Sequence, residues 1–508
     1  MSENYGIIDI GSNTIRLVIY ANDKSGRLKE IENVKSVARL RDFLTEEKVL
    51  SDDGITILLE TLLGFQEITR HHQLKNVRCV ATATVRQACN QTKILTAVKH
   101  ATDFTIRILS EYEEAYYGYL AVVNSTSLTE GITIDIGGGS TEITYFHNRK
   151  LIEYYSFPFG GLSLKKKFIS EDIPNEAELE KLSAFLFNEF RRIGWLNNRN
   201  VPIVAIGGSA RNMVQIDQAI KNYPLAGLHQ YEMTNDDICN VQSYTSSHSF
   251  VELQKIEGLS NDRADTIIPA IEVFNMLFKV AGAPILMLSR KGLRDGIFFE
   301  EFTKSLGITV LPNVKEESFY ALSQDYEINL SHVRQLTKLA TMLFEQIRTL
   351  GYAPLTDQDL KDLKCAAFVF FLGEYIDSES SSQHTFYLLA NRTIDGFMHR
   401  ERVKLALLAS FKNKTVFKQF MEPFNHWFSK EEQKKLRLLG AILKLAYSLN
   451  ATKRDIVNNI TIHGDEDGIV IEIFCRKNWH AEKYQSQKQK KHLEKIVKEP
   501  IYLIFNEG

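Results

Sequence analysis

The stretch Ile8–Gly11 reads Ile-Asp-Ile-Gly, and the same four residues return at Ile134–Gly137. In both places strand-forming residues precede a short turn, Ser12–Thr14 or Gly138–Ser140, and a second strand-forming run follows it. The pattern predicts, twice over, a buried strand, a tight turn and a returning strand. Each copy also places an aspartate at a strand end, beside a turn whose backbone N–H groups can bind an anion.

The two copies open two tandem segments in which strand-like and helix-like patterns alternate. We assign residues 1–120 to a first α/β lobe and residues 121–306 to a second. A duplication at this scale predicts a cleft between two lobes. The pattern then becomes helical over residues 314–450 and mixed over residues 451–508, which we assign to a helical domain and a small α+β domain.

The individual elements follow from hydrophobic periodicity and turn residues. Strands are predicted over residues 5–10, 15–21, 77–81, 106–109, 201–206, 460–463, 468–474 and 501–505. Helices are predicted over residues 54–73, 175–193, 333–350, 357–371, 401–410 and 482–498, with a further helix after Ser110.

The composition is typical of a globular protein and argues against several classes of function. Of 508 residues, 44% are hydrophobic and the net charge is −2, so we expect no nucleic-acid partner. The five cysteines show no CxxC spacing, which argues against a zinc site or a disulfide framework. Without a long apolar run or a secretory pattern at Met1–Asn4, we expect a cytoplasmic protein with no membrane span.

Asp9 and Asp135 are the first candidates for chemistry. A carboxylate at a strand end beside a glycine turn can hold Mg2+, which in turn neutralises phosphate oxygens. A single aspartate of this kind more often stabilises its own turn. Two copies at matching positions of two lobes favour the metal site instead.

The turns supply candidate phosphate ligands. Gly137, Gly138 and Gly139 allow a ligand to approach the backbone closely, and Ser12, Asn13 and Ser140 add side-chain donors. A third turn, formed by Gly207, Gly208 and Ser209, follows a predicted strand. By itself this third turn is more often structural than functional.

The helix after Ser110 carries two glutamates with different predicted roles. Ser110 and Glu113 have the spacing of a capping box, which accounts fully for Glu113. The capping box does not account for Glu114. A carboxylate at a helix start near a cleft can orient and deprotonate a water. Arg86 follows a predicted strand and is a candidate bidentate phosphate ligand. Arg263 and Arg294 are expected to form ion pairs with acidic side chains and not to bind a ligand.

Taken together, these motifs resemble the exopolyphosphatase/guanosine pentaphosphate phosphohydrolase (Ppx/GppA) family, within the actin, Hsp70 and sugar kinase superfamily. The resemblance is collinear over most of the chain. It rests on the segments 9–13, 81–90, 113–115, 135–142, 207–210, 258–265 and 289–296. The string Asp-Ile-Gly-Gly-Gly-Ser-Thr-Glu with an upstream Glu-Glu-Ala distinguishes the family from sugar kinases.

The resemblance implies roles for individual residues. Glu114 matches a catalytic glutamate that positions the attacking water, and Asp135 and Glu142 match acids near the metal and that water. Asp9 matches the acid of the first loop. Ser12, Asn13, Arg86 and 137–140 match the phosphate-binding loops, and the implied cofactor is Mg2+, with Mn2+ as the alternative.

The resemblance also implies a fold: two tandem actin/Hsp70/sugar-kinase-like (ribonuclease H-like) lobes, then an HD-like all-α domain and a small α+β domain. The metal motif of the HD-like domain is degenerate here, because its expected ligands fall on Phe370, Phe371 and Phe411. We therefore predict no second metal site. Lys412, Lys414 and Lys418 can line a polyphosphate channel, although solvated lysines are the simpler interpretation.

The implied activity is hydrolysis of the terminal phosphate of inorganic polyphosphate. One alternative is removal of the 5′ γ-phosphate of guanosine pentaphosphate (pppGpp), since the loops contact phosphate and not base. Another is an inactive regulator that binds polyphosphate or (p)ppGpp, and a sugar or acetate kinase is disfavoured by the lack of an acceptor site. Long members of the family tend to be dimers, so we expect a homodimer.

Overall fold

In the computed structural model, which describes residues 4–22 and 28–508, both copies of the repeated stretch form β-hairpins. The first sheet has the order β3-β2-β1-β4-β5, in which β1, β2 and β3 are antiparallel and β4 and β5 run parallel to β1. Its strands are β1 (Tyr5–Ile10), β2 (Thr14–Asn22), β3 (Leu28–Val37), β4 (Asn76–Ala81) and β5 (Ile106–Ile108).

The second sheet repeats this topology. Its order is β8-β7-β6-β9-β11-β10, so β6, β7, β8, β9 and β11 correspond to β1 to β5, and β10 is an additional edge strand. The strands are β6 (Glu130–Ile136), β7 (Thr141–His147), β8 (Lys150–Phe157), β9 (Ile203–Ile206), β10 (Glu232–Met233) and β11 (Leu286–Leu288). The equivalent strand orders confirm the prediction of two tandem α/β lobes.

Helices cover both sheets. They are α1 (Asp52–His71), α2 (Ala83–Gln87), α3 (Gln91–Ala101), α4 (Glu111–Val123), α5 (Gly161–Phe168), α6 (Glu176–Arg191), α7 (Gly207–Ile220), α8 (Asn235–Ser246), α9 (Phe250–Leu253), α10 (Ile267–Ala281) and α11 (Leu293–Ser305). Helices α4 and α11 join the lobes, because their apolar residues pack against Ile7 and Val18 of the first sheet and Phe146 and Val204 of the second.

The described chain divides into two compact units. The first contains the described residues up to Tyr223 together with Leu228–Val314, and so includes both sheets. The second contains Pro224–Gly227 and Lys315–Gly508. The four domain boundaries drawn from the sequence stay predictions.

The second unit is helical and ends in a small sheet of order β12-β13-β14. Its elements are α12 (Val314–Asp325), α13 (Leu330–Thr349), α14 (Asp357–Phe368), α15 (Ser381–Asn391), α16 (His399–Ala409), α17 (Lys414–Met421), α18 (Lys430–Ser448), β12 (Val457–Asp465), β13 (Gly468–Cys475), α19 (His480–Gln489), α20 (Lys491–Val497) and β14 (Ile501–Glu507). The 3-10 helices of the chain are Leu40–Phe43, Gly194–Leu196, Asn261–Arg263, Leu372–Tyr375 and Glu422–Trp427.

The predicted helices are observed with ends shifted by up to three residues, and two of the differences concern how a helix ends or divides. The helix predicted over residues 357–371 ends at Phe368, because Phe371 adopts a left-handed backbone conformation (φ 53°) and packs with Phe370 against Tyr447. The helix predicted over residues 482–498 is two consecutive helices, α19 and α20. Within residues 4–22 and 28–508, no helix has the length and apolar character needed to cross a bilayer.

Candidate active site

The two hairpin turns have the same construction. In the first, Ile10 pairs with Ile15 and the Gly11 N–H donates to the Thr14 carbonyl at 3.0 Å. In the second, the Gly137 N–H donates to the Ser140 carbonyl at 2.9 Å. The register places Asp9 opposite Arg16 in the first hairpin, and Asp135 opposite Glu142 in the second.

The two turns meet across one cleft between the lobes. A Cβ atom at Gly138 would lie 3.0 Å from the Cβ of Ser12, so the turns are in direct contact. Asp9 and Asp135 both line the cleft, whose volume is about 400 Å³. The predicted convergence of the two aspartates on one cavity therefore holds in the structure.

The two aspartates are partly buried and differ in their partners. Asp9 Oδ2 accepts a hydrogen bond from Arg294 Nη1 at 2.7 Å, yet burial still raises the pKa of Asp9 above its usual range. Burial and the charge of Asp9 raise the pKa of Asp135 to about 6. Gly207 has a φ of +90°, and a Cβ there would come within 2.6 Å of Asp135 Oδ1, so a side chain at this position would collide with the carboxylate.

Glu114 is held in the first turn of α4. The predicted capping box is present, since Ser110 Oγ accepts from the Glu113 N–H and Glu113 accepts from the Ser110 N–H. Glu114 Oε2 accepts a hydrogen bond from Arg86 Nη1 at 2.7 Å. Burial outweighs this ion pair, and it raises the pKa of Glu114 to about 7. A carboxylate with this pKa is suited to proton transfer near neutral pH.

Glu142 is the most enclosed acid of the cleft, with 4% of its surface exposed. Ser156 Oγ donates to Glu142 Oε1 at 3.1 Å. Burial, followed by the charge of Glu114, raises the pKa of Glu142 well above its ordinary value. Both glutamates line the cleft, so the charge of one opposes ionisation of the other.

Five arginines and one lysine also line the cleft, against four carboxylates. They are Arg16, Arg211, Arg263, Arg290, Arg294 and Lys35. Burial, followed by the charges of neighbouring arginines, lowers the pKa of Arg211 to about 10, and the cationic side chains of the cleft outnumber its carboxylates. This excess is suited to a multiply charged anion.

Sequence reasoning singled out only Arg263 and Arg294 from this group, and assigned them to ion pairs. Arg294 does pair with Asp9, whereas Arg263 Nη1 donates to Ser209 Oγ at 3.2 Å inside the cleft. Arg16 could have been found by aligning the two hairpins, because it occupies the register position of Glu142. Arg290 lies in the segment 289–296, on which the resemblance partly rests, whereas no local signal marks Arg211 or Lys35.

Most of the predicted phosphate ligands line the cleft. They are Ser12, Asn13, Gly137, Gly138, Ser140, Gly207, Gly208 and Ser209. Asn13 Oδ1 is buried without a hydrogen-bond partner among the described residues. Two predicted ligands lie elsewhere: Gly139 faces the Arg41 guanidinium, and Arg86 lies behind Glu114 with one buried nitrogen, Nη2, that has no partner among the described residues.

The donor set fits a hard divalent cation that is shared with phosphate. Asp9 and Asp135 line one cleft, and the charge of Asp9 raises the pKa of Asp135. Residues 4–22 and 28–508 contain no group of three or more His, Cys, Asp or Glu side chains arranged to hold a metal. One or two carboxylates, completed by water and substrate oxygens, are what Mg2+ commonly uses.

Comparisons with known proteins find similar families and folds. The model of the Ppx/GppA phosphatase family matches residues 18–305, and that of Ppx/GppA phosphatase domain III matches residues 314–494. A solved Ppx/GppA family member from Aquifex aeolicus is 26% identical with a TM-score of 0.53, over 60% of this chain and 99% of that one. An exopolyphosphatase from Cytophaga hutchinsonii, 20% identical, shares the fold with a TM-score of 0.55 over 59% of this chain and 98% of that one.

Proposed function

Since the chain belongs to the Ppx/GppA phosphatase family, we propose that it is an exopolyphosphatase, which hydrolyses the terminal phosphoanhydride bond of inorganic polyphosphate and releases orthophosphate. One observation carries the proposal. A single cleft contains two facing hairpin turns, four carboxylates and six cationic side chains. Positioning and charge neutralisation of this kind are what phosphoryl transfer requires of a protein.

The lining of the cleft favours a linear phosphate chain over a nucleotide. Among the described residues that line it, six are cationic and none is aromatic. A purine base is commonly held by stacking on an aromatic side chain, whereas a polyphosphate chain needs only cations and N–H donors. This is why we favour polyphosphate over pppGpp.

The chain's own groups bind and orient the terminal phosphate. Backbone N–H groups of the two turns point to its oxygens, with Ser12 and Ser140 as side-chain donors. The arginines neutralise the phosphates that follow. Asp9 and Asp135 would hold Mg2+, with Mn2+ as the alternative, and the bound ion would neutralise phosphate charge in the transition state.

Hydrolysis needs a water in line with the bond that breaks. Glu114 orients this water and takes its proton while the water oxygen bonds to the terminal phosphorus. The bond from that phosphorus to the bridging oxygen breaks, and the shortened chain leaves with the electron pair. Arg86 keeps Glu114 in place through its hydrogen bond, and the pKa of Glu142 is raised in part by the charge of Glu114.

Phosphate release from long-chain polyphosphate and from pppGpp, measured side by side with Mg2+, tests the proposal. We expect polyphosphate to be the better substrate, and Glu114→Gln to lower kcat by roughly 10²–10⁴-fold without loss of binding. Glu113→Gln is the matched control, because Glu113 caps the same helix and does not line the cleft.

Two outcomes would contradict the proposal. Faster release from pppGpp would assign the chain to pentaphosphate hydrolysis. Tight binding of either compound by the wild type, with no phosphate release above that of Glu114→Gln, would identify an inactive regulator.

A further inference from the structure

Two ion pairs connect the first lobe to the second beside the cleft. Lys35 Nζ lies 3.0 Å from Asp262 Oδ2, and Arg39 Nη2 lies 2.7 Å from Asp265 Oδ2. The cations come from the end of β3 and the turn after it. The acids come from one short segment of the second lobe, on either side of Arg263.

Arg39 is fixed to the phosphate-binding turn of its own lobe. Its N–H donates to the Asn13 carbonyl at 2.9 Å, and its φ of 44° lies in the left-handed region. For a residue with a Cβ atom this conformation costs about 1–2 kcal/mol, and it persists only when surrounding contacts hold it. The Asn13 bond and the Asp265 ion pair are such contacts.

Asp265 is connected in turn to a cleft residue of the second lobe. It follows Arg263 by two positions, and the Thr266 N–H donates to the Arg263 carbonyl at 3.0 Å. The Arg263 guanidinium lies against Gly208 and donates to Ser209 in the third phosphate-binding turn. A single connected path therefore runs from Asn13 through Arg39 and Asp265 to Arg263.

We propose that the Arg39–Asp265 ion pair, assisted by Lys35–Asp262, is a latch that closes the two lobes over the bound phosphate and positions Arg263 against it. Arg39 and Asp265 are thus positioning residues. The activity part of this inference rests on the proposed phosphohydrolase function, and the closure part does not.

The environment of the pair suits a latch that opens and closes. The side chain of Arg39 is 35% exposed and that of Asp265 is 14% exposed. A partly exposed pair is strong enough to bias an equilibrium between open and closed lobes, and weak enough to break in each turnover. The cleft cations repel one another across the gap until an anion binds, so phosphate and latch favour closure together.

Two asparagine substitutions test the latch. Arg39→Asn removes the guanidinium and retains the fold, because asparagine tolerates a positive φ better than arginine does. Asp265→Asn removes the other partner. We expect each to lower kcat on polyphosphate roughly tenfold through misplaced groups in the cleft, and the double variant to be no slower than either single one.

Asp42→Asn is the matched control. Asp42 is the second carboxylate partner of Arg39, at 3.0 Å from its Nε, but it belongs to the same lobe. We expect its kcat to equal that of the wild type, while Arg39→Lys recovers part of the loss. Equal losses for Asp42→Asn and Asp265→Asn, or losses that multiply in the double variant, would overturn the latch.

Lobe closure is measured separately from activity. Fluorescent labels on Glu60→Cys and Lys255→Cys, both exposed, report the opening of the lobes once Cys89, Cys239 and Cys365 are changed to serine. With tripolyphosphate and Mg2+, we expect energy transfer to rise in the wild type and to rise less in Arg39→Asn. An identical rise in both proteins would overturn the latch, and this reading holds even if the wild type hydrolyses neither substrate.

Discussion

At the scale of single residues, the acids of the cleft differ in the side chains that donate hydrogen bonds to them. Asp9 and Glu114 each accept a hydrogen bond from an arginine, at 2.7 Å in both cases, whereas Glu142 accepts one from a serine. Burial raises the pKa of all three. The ionised carboxylates therefore lower the stability of the folded protein, and binding of a cation and a substrate offsets this cost. Active sites commonly lose some stability in favour of function.

This cost in stability leads to a prediction about Glu114→Gln. Folding raises the pKa of Glu114 to about 7, above its value in the unfolded chain. Protonated Glu114 therefore favours the folded state in acid, and this contribution to the free energy of unfolding is lost as the pH rises through about 7. At about pH 8 the neutral amide should raise the free energy of unfolding by about 1–3 kcal/mol, and the gain should shrink toward about pH 4.5. Denaturant unfolding in the absence of metal measures it.

Glu113→Gln is the control for that measurement. Burial tends to raise the pKa of Glu113, but hydrogen bonds from Ser110 and the charge of Arg107 bring it below its ordinary value. This substitution should therefore not stabilise the protein at about pH 8. If Glu114→Gln destabilises the fold there, its ion pair with Arg86 outweighs the effect of burial.

At the scale of elements, α4 connects catalysis to a helix cap. The capping box at Ser110 fixes where the helix begins, and Glu114 follows one turn later with its N–H bonded to the Ser110 carbonyl at 3.1 Å. The same helix packs between the two sheets through Tyr117 and Leu120. The position of the proposed base is thus set by local capping and by the junction of the lobes.

Ser110→Ala tests how far the helix cap positions Glu114. Loss of the cap should lower the free energy of unfolding by about 1 kcal/mol. We expect kcat to fall far less than in Glu114→Gln, because Arg86 still holds the carboxylate. Ser429→Ala, which removes the equivalent cap of α18, should destabilise similarly and leave kcat unchanged. A fall in kcat as deep as that of Glu114→Gln would mean that the cap, and not Arg86, positions Glu114.

At the scale of the whole molecule, the two lobes contribute opposite halves of one site. Asp9 and Arg16 come from the first sheet, and Asp135 and Glu142 from the second. Helices α4 and α11 join the sheets, so the cleft exists only when both lobes are folded. The homodimer expected from the resemblance stays a prediction.

The affinity of this site for a metal ion should fall when its carboxylates are protonated. The folded protein raises the pKa of Asp135 to about 6, and protons therefore compete with Mg2+ below that pH. We expect Mg2+ to raise the Tm more at about pH 8 than at about pH 5.5. Asp135→Asn should abolish the shift at both pH values, and an unchanged shift in that variant would contradict the assignment of Asp135 as a ligand.

The repeated hairpins and the capping box at Ser110 could be predicted from the sequence. These features depend on residues close together in the chain, where periodicity, turn chemistry and capping act directly. Internal duplication extended that local information, because two similar segments imply two similar lobes. The end of α14 was missed, since the left-handed Phe371 depends on packing against the distant Tyr447.

The partners of the charged groups depend on the tertiary structure. Arg86 pairs with Glu114, Arg294 with Asp9 across 285 positions, and Arg39 with Asp265 across 226. Arg211 and Lys35 reach the same cleft without any motif of their own. No local pattern specifies such contacts, because a side chain's electrostatic partner depends on how the sheets and helices pack and not on its neighbours in the chain.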